Sequence, residues 1–180
     1  MKKISIIILL AFVLLVVGCK ASKNDIQPSN LQTNNSSLVI SNGEIKWDED
    51  KNALSFDEFI KKVPFEVKQP EVPFEITNKA IGGIEAPFDF IQMTSANDKL
   101  GFEIILAISN SKDNSKPQGK KGVKLENGSQ TWIQSDQSVS ALYWRYDGLT
   151  YVLSSLKIEN GNFLPLYDTE KLVEIANTIK

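Results

Sequence analysis

The sequence predicts an α+β domain: an antiparallel meander sheet of about five to seven strands, with one short N-terminal helix and a C-terminal helix packed on one face. Three observations carry this. From residue 88 onward, short apolar runs alternate with Asn-Asp, Asn-Gly and Asp-Gly pairs, the signature of hairpins. Ser55-Phe56-Asp57-Glu58 has the Ser-x-x-Glu form of a capping box. Leu172, Ile175, Ala176 and Ile179 recur at i, i+3, i+4 and i+7, so the chain ends on an amphipathic helix that needs a sheet face to cover it.

Taken in order, Leu38-Val39-Ile40 and Glu44-Ile45-Lys46-Trp47 flank Asn42-Gly43 as a small hairpin. The capping box opens a helix over 55–63, with Phe56, Phe59, Ile60 and Val63 at helical spacing and Pro64 as the stop. Pro64, Pro70 and Pro73 then hold Phe65, Val67, Val72, Phe74 and Ile76 in extended chain, either an edge strand or a wrapping segment, because proline cannot donate to a central ladder. Phe88 to Ser95 turns at Asn97-Asp98 into Leu100 to Ser109. There Phe102, Ile104, Leu106 and Ile108 share one face while Ile105 and Ala107 make the other apolar too, so this strand is central. Asn110 to Lys121 is a polar loop. Gly122 to Glu126 and Ser129 to Gln134 pair across Asn127-Gly128, and Ser138 to Tyr146 pairs with Leu149 to Ile158 across Asp147-Gly148. In the last strand Leu149, Tyr151 and Leu153 have one parity and Leu156 and Ile158 the other, which a bulge at Ser154-Ser155 would reconcile. Asp168 or Thr169 caps the final helix.

Composition narrows the function. The 180 residues hold 20 Lys and Arg against 22 Asp and Glu, no histidine and one cysteine. Histidine-based acid–base catalysis and histidine metal sites are thereby excluded, as are an internal disulfide and a cysteine-rich zinc site. A net charge of −2 lacks the basic surplus of a nucleic-acid binder.

The N-terminus speaks of location. Met1-Lys2-Lys3 is a basic start, and Ile4 to Val17 are fourteen residues of which only Ser5 is polar, too few to span a bilayer and right for a secretory signal. Val16-Val17-Gly18-Cys19 resembles the bacterial lipobox, which implies a diacylglyceryl thioether on Cys19 and cleavage just before it. Residues 1–18 then form the signal peptide, 19–37 a lipidated disordered tether rich in Asn, Ser and Gln, and 38–180 the single folded domain. Lys20 to Ser37 has a reach of about 20–25 Å as flexible coil, so the domain sits close above the membrane. The expected location is the extracytoplasmic face of the cell membrane.

Trp144-Arg145-Tyr146-Asp147-Gly148-Leu149-Thr150-Tyr151-Val152-Leu153 resembles the W-x-x-x-G-x-x-Y-x-L hairpin of a domain of unknown function in exported lipoproteins and membrane-bound anti-sigma factors of Gram-positive bacteria. Leu172 to Ile179 is similar to that domain's terminal helix, and Val63-Pro64-Phe65-Glu66-Val67 with Pro70 and Pro73 to its extended entry. The resemblance covers about residues 55–180 and implies no activity or site.

Catalytic, cofactor and metal residues are not expected. Asp48-Glu49-Asp50 reads as a solvated turn, since no calcium-loop pattern surrounds it. Asp89 and Glu103 fall on neighbouring expected strands, and a glycosidase would need two such acids facing each other in a cleft. Trp132, Tyr143, Trp144 and Tyr146 form an aromatic zone, material for core or sheet-face packing or for stacking on sugars or peptides, and Lys112, Lys116, Lys120 and Lys121 lie in a loop that is either solvated or in touch with anionic lipid or cell-wall polymer. The expectation is a non-enzymatic binding or sensing module with an envelope protein partner and no cofactor. The alternatives are a carrier of a hydrophobic or lipid ligand and, third, a cell-wall hydrolase. Cys19→Ala should leave the precursor unprocessed, or release soluble protein, when membrane and soluble fractions of the host are blotted; processing and anchoring as in the wild type would contradict the lipobox reading.

Overall fold

The computed structural model describes residues 31–33, 36–41, 44–49, 56–84, 90–110, 117 and 119–179. Strands β1 (Leu31–Thr33), β2 (Ser36–Ser41) and β3 (Glu44–Glu49) precede helix α1 (Phe56–Ile60). Then follow β4 (Asn78–Ile84), β5 (Phe90–Asn97), β6 (Phe102–Ser109), β7 (Lys120–Lys124), β8 (Gln130–Ser135), β9 (Ser140–Tyr146), β10 (Leu149–Glu159), β11 (Asn162–Leu164) and α2 (Thr169–Asn177). No helix among the described residues is long and apolar enough to cross a membrane.

The fold is α+β. Nine strands form one antiparallel sheet in the order β1-β4-β5-β6-β10-β9-β8-β7, with β11 added beside β10, while β2 and β3 pair as a separate hairpin. The sheet is thus two meanders, β4–β5–β6 and β7–β8–β9–β10, joined where β6 pairs with β10. The connection from β6 to β7 carries the chain to the far edge, so sequence neighbours there are not sheet neighbours.

The turns obey their chemistry. Asp147 and Gly148 both take positive φ, 50° and 75°, as a two-residue turn matched to strand twist requires. Asn160 and Gly161 repeat this between β10 and β11 with φ 51° and 74°. The expected bulge at Ser154-Ser155 is absent: β10 keeps continuous register with β6 from Thr150 to Lys157. Ser155 simply takes the buried parity after Leu153, and Leu156 and Ile158 stand half-buried on the opposite face. The sheet also exceeds the expected five to seven strands. β4 carries Gly82-Gly83, which hides its strand character. β1 lies inside the stretch read as tether and pairs Leu31, Gln32 and Thr33 with Ile84, Gly83 and Gly82.

One face of the sheet holds the core. Ile81, Ile91, Met93, Ile104, Leu106, Ile108, Tyr151, Leu153, Trp144 and Leu142 line it, one to three per strand at alternating positions. The two helices and the proline-rich segment cover this face. α1 is shorter than the expected 55–63, because Lys62 and Val63 bond to carbonyls only three residues back as the chain tightens before Pro64. Ser55 lies outside the described residues. Phe59 packs where β4 has Gly83: a Cβ there would stand 2.8 Å from the Phe90 carbonyl oxygen and 3.2 Å from the Phe59 ring. Residues 64–76 form no strand but wrap. Phe65, Val67, Val72 and Phe74 pack on the core, and Phe74 meets Phe102 edge-on at 6.0 Å. Polar pins fix that wrap: Asn97 Nδ2 donates to the Glu75 carbonyl (2.8 Å), and Thr178 Oγ1 accepts from the Glu71 amide (2.8 Å). The Asp168 side chain caps α2 by accepting from the Lys171 amide.

Leu172, Ile175, Ala176 and Ile179 are all buried on this face. Leu172→Asp should therefore destabilise by about 4 kcal/mol or more in urea denaturation, because it puts an unpaired charge beneath α2. Glu174→Ala, which removes only the exposed pair with Lys171, should stay within about 0.5 kcal/mol of wild type.

Candidate functional site

The second face of the sheet is read off the register. Trp132 on β8 lies opposite Tyr143 on β9, which lies opposite Val152 on β10, then Ala107 on β6, Gln92 on β5 and Gly82 on β4. The next row is Gln134, Ala141, Ser154, Ile105, Thr94 and Ala80. Most of these residues are half-buried. In these two rows β4 contributes only Gly82 and Ala80, while β8 and β9 contribute an aromatic wall. That wall is a pair: the Trp132 and Tyr143 rings meet at 84° with centroids 6.1 Å apart, the favoured edge-to-face arrangement.

The four aromatics of the sequence zone thus separate. Trp144 is 2% exposed on the core face and stacks on its cross-strand neighbour Tyr151, centroids 5.1 Å apart at 7°. It is packing material. Trp132 and Tyr143 stand together on the second face, and Tyr146 is exposed near the β9–β10 turn. Strand alternation would have divided them, since Tyr143 and Trp144 are consecutive.

Glu103 is the one buried acid of the described residues. On β6 it belongs to the second face, between Ala96 on β5 and Leu156 on β10. Burial first, and the like charge of Asp98 second, push its carboxyl up from 4.5 to about 7. Asp89 lies outside the described residues, so the expected pairing of Asp89 with Glu103 has no geometry to set beside it. The neighbours of Glu103 make it a carboxyl held in an apolar setting.

Asp48 and Glu49 are adjacent residues of β3, in register with Ser37 and Ser36, so they belong to a strand and not to a turn; Asp50 lies outside the described residues. Among the described residues no three acidic or thiol groups gather as metal ligands. Lys112 and Lys116 lie outside the described residues, while Lys120 and Lys121 are exposed on the edge strand β7 together with Lys124. That edge is interrupted. The register shifts between Lys121 and Lys124, and Thr131 Oγ1 donates to the Val123 carbonyl across the irregularity. Lysines and a bulge are the usual guards of a sheet edge against adventitious pairing. A surface pocket of about 290 Å³ lies between the β7–β8 turn and the end of α2, lined by Glu126, Asn127, Tyr146, Ala176, Asn177 and Ile179. It is the seam where Asn177 Oδ1 accepts from the Glu126 amide (2.9 Å).

Comparison with protein-family models, with curated proteins and with solved structures yields no match.

The Glu103 carboxyl sets a pH dependence whose sign is fixed. Its folded value lies above its unfolded one, so the fold binds the extra proton and loses stability as pH rises from about 4.5 through about 7. Glu103→Gln should remove that dependence and stabilise the protein at pH 8 by up to about 3 kcal/mol in urea denaturation. Parallel pH profiles for the two proteins would show that the carboxyl ionises freely.

Proposed function

We propose that the chain is an extracytoplasmic lipoprotein, anchored in the cell membrane through Cys19. Its folded part is a non-enzymatic module that binds or senses an envelope protein. The lipobox-like Val16-Val17-Gly18-Cys19 supports the anchor, because the sole cysteine stands at the position that lipidation requires. Two acyl chains hold a protein stably where one holds it marginally.

The observation that carries the binding reading is the second face of the sheet. Its aromatic pair, Trp132 and Tyr143, stands half-buried beside Val152, Ala107 and Ile105 rather than within the core. Rigid aromatic side chains next to small apolar ones are the composition of interface hot spots. A carrier of a hydrophobic ligand ranks second, since such a protein needs an apolar cavity of several hundred Å³. On the core face, Ile91, Ile104, Leu106, Ile108, Leu142, Leu153 and Leu172 are essentially inaccessible, as close packing requires.

The test uses the full chain as bait on detergent-solubilised host membranes, compared with Trp132→Ala/Tyr143→Ala. Specific capture should fall at least ten-fold in the double variant, with the melting temperature little changed. Capture that is indifferent to the pair would contradict this use of the face. Saturable, stoichiometric binding of a fluorescent fatty acid would put the carrier first.

A further inference from the structure

The surface pocket of about 290 Å³ opens where three stretches remote in sequence meet: the β7–β8 turn, the last residue of β9 and the end of α2. Its lining is of two kinds. Ala176 and Ile179 are buried and supply apolar surface. Glu126, Asn127 and Tyr146 are exposed, and Asn177 is half-buried. Tyr146 continues the parity of Leu142 and Trp144, which lie in the core, yet at the end of β9 it stays 45% exposed.

The backbone fixes the hydrogen-bonding roles of two of these side chains. Asn177 Oδ1 accepts from the Glu126 amide (2.9 Å), and Asn127 Oδ1 accepts from the Ser129 amide (3.0 Å). A backbone N–H must meet an oxygen, so neither side-chain amide can be turned over, and each has its Nδ2 donors to offer a ligand. Glu126 adds a carboxylate, which only accepts. The pocket therefore combines donors, an acceptor and an aromatic ring, and among the described residues no cationic side chain lines it.

The class of ligand follows by matching. An anion would meet the Glu126 carboxylate with no counter-charge. A cation would pair with that carboxylate but leave the two amide donors without partners. An apolar chain would strip water from the polar side chains and return no hydrogen bond. A saccharide ring meets every requirement: its hydroxyls both donate and accept, and its C–H face stacks on an aromatic ring. The volume lies at the low end for small-molecule sites, so it suits one ring and not a long ligand.

We infer that this pocket holds one ring of a neutral saccharide, with Tyr146 as the stacking platform and Asn127, Asn177 and Glu126 as partners of its hydroxyls. Trp132 and Tyr143 belong to the other face of the sheet, so the saccharide site does not rest on the protein-binding reading above.

The test is an NMR titration of the isotope-labelled full chain, in a detergent without sugar head groups. Cellotriose, chitotriose and maltotriose are the neutral probes, a galacturonate trimer the acidic one and lysine methyl ester the cationic one. At least one neutral trisaccharide should bind saturably, with a Kd on the order of 1 mM, and shift the amides of Asn127, Tyr146 and Asn177. Tyr146→Ala should weaken binding about ten-fold or more, whereas Tyr146→Phe, which keeps the ring, should stay within about three-fold of wild type. Both variants should keep the melting temperature, because the side chain is exposed. Trp132→Ala/Tyr143→Ala should bind the sugar as the wild type does. Absence of saturable binding by every neutral probe up to about 10 mM would overturn the inference, as would tighter binding of either charged probe. Binding that ignores Tyr146→Ala, or that is lost in Trp132→Ala/Tyr143→Ala, would overturn it as well. The titration requires no protein partner, so its failure is distinct from a failure of the capture experiment.

Discussion

The register of β10 decides which side of the sheet becomes core. This strand pairs with β9 from Leu149 to Ser155 and with β6 from Thr150 to Lys157, and so joins two meanders that no short connection links. Leu149, Tyr151, Leu153 and Ser155 point into the core, and Val152, Ser154 and Leu156 stand on the other face. A slip of one residue would exchange the two sets and bury the wrong face. The Trp144–Tyr151 stack secures the register from one side, and the pairing of Leu153 with both Leu142 and Leu106 secures it across three strands.

Because β10 fixes which side is core, the helices and the proline-rich wrap have one place to go. Their attachments are polar as well as apolar. Ser155 Oγ accepts from the Tyr167 amide where the chain enters α2, Asn97 holds the wrap beside the β5–β6 turn, and Thr178 ties the wrap to the end of α2. Each pin satisfies a backbone group that a strand-free segment would otherwise leave unpaired. The same arrangement places α1, α2 and the proline-rich wrap on one side. The opposite side carries the half-buried Trp132–Tyr143 pair and the buried carboxyl of Glu103.

Much of this was legible in the sequence where the signal is local. Asp147-Gly148 and Asn127-Gly128 marked turns because Asp147, Gly148 and Gly128 take the positive φ that few residues tolerate, and the 3.6-residue recurrence from Leu172 to Ile179 marked α2 because one side of a helix must be buried. β4 escaped because Gly82-Gly83 weakens strand propensity, yet Gly83 is what lets Phe59 sit on the sheet. The β10–β11 hairpin rests on Asn160-Gly161, a signal of the same kind in a segment whose second arm is only three residues long. The pairing of β6 with β10 is non-local, and no pattern within either strand names the other. For the same reason the second face was invisible as a unit: Trp132, Tyr143, Val152 and Ala107 are neighbours only through the strand order.

Native-state hydrogen exchange of the β6 and β10 amides reads the strength of this joint. If β10 is the joint of the sheet, its amides between Thr150 and Ser155 and their partners on β6 should exchange only through global unfolding, with the free energy measured by denaturant, while β7 and β11 open at lower cost. Exchange of the β6–β10 pairing at a free energy well below that of β5–β6 would mean that the two meanders part independently and that β10 is not the joint of the sheet.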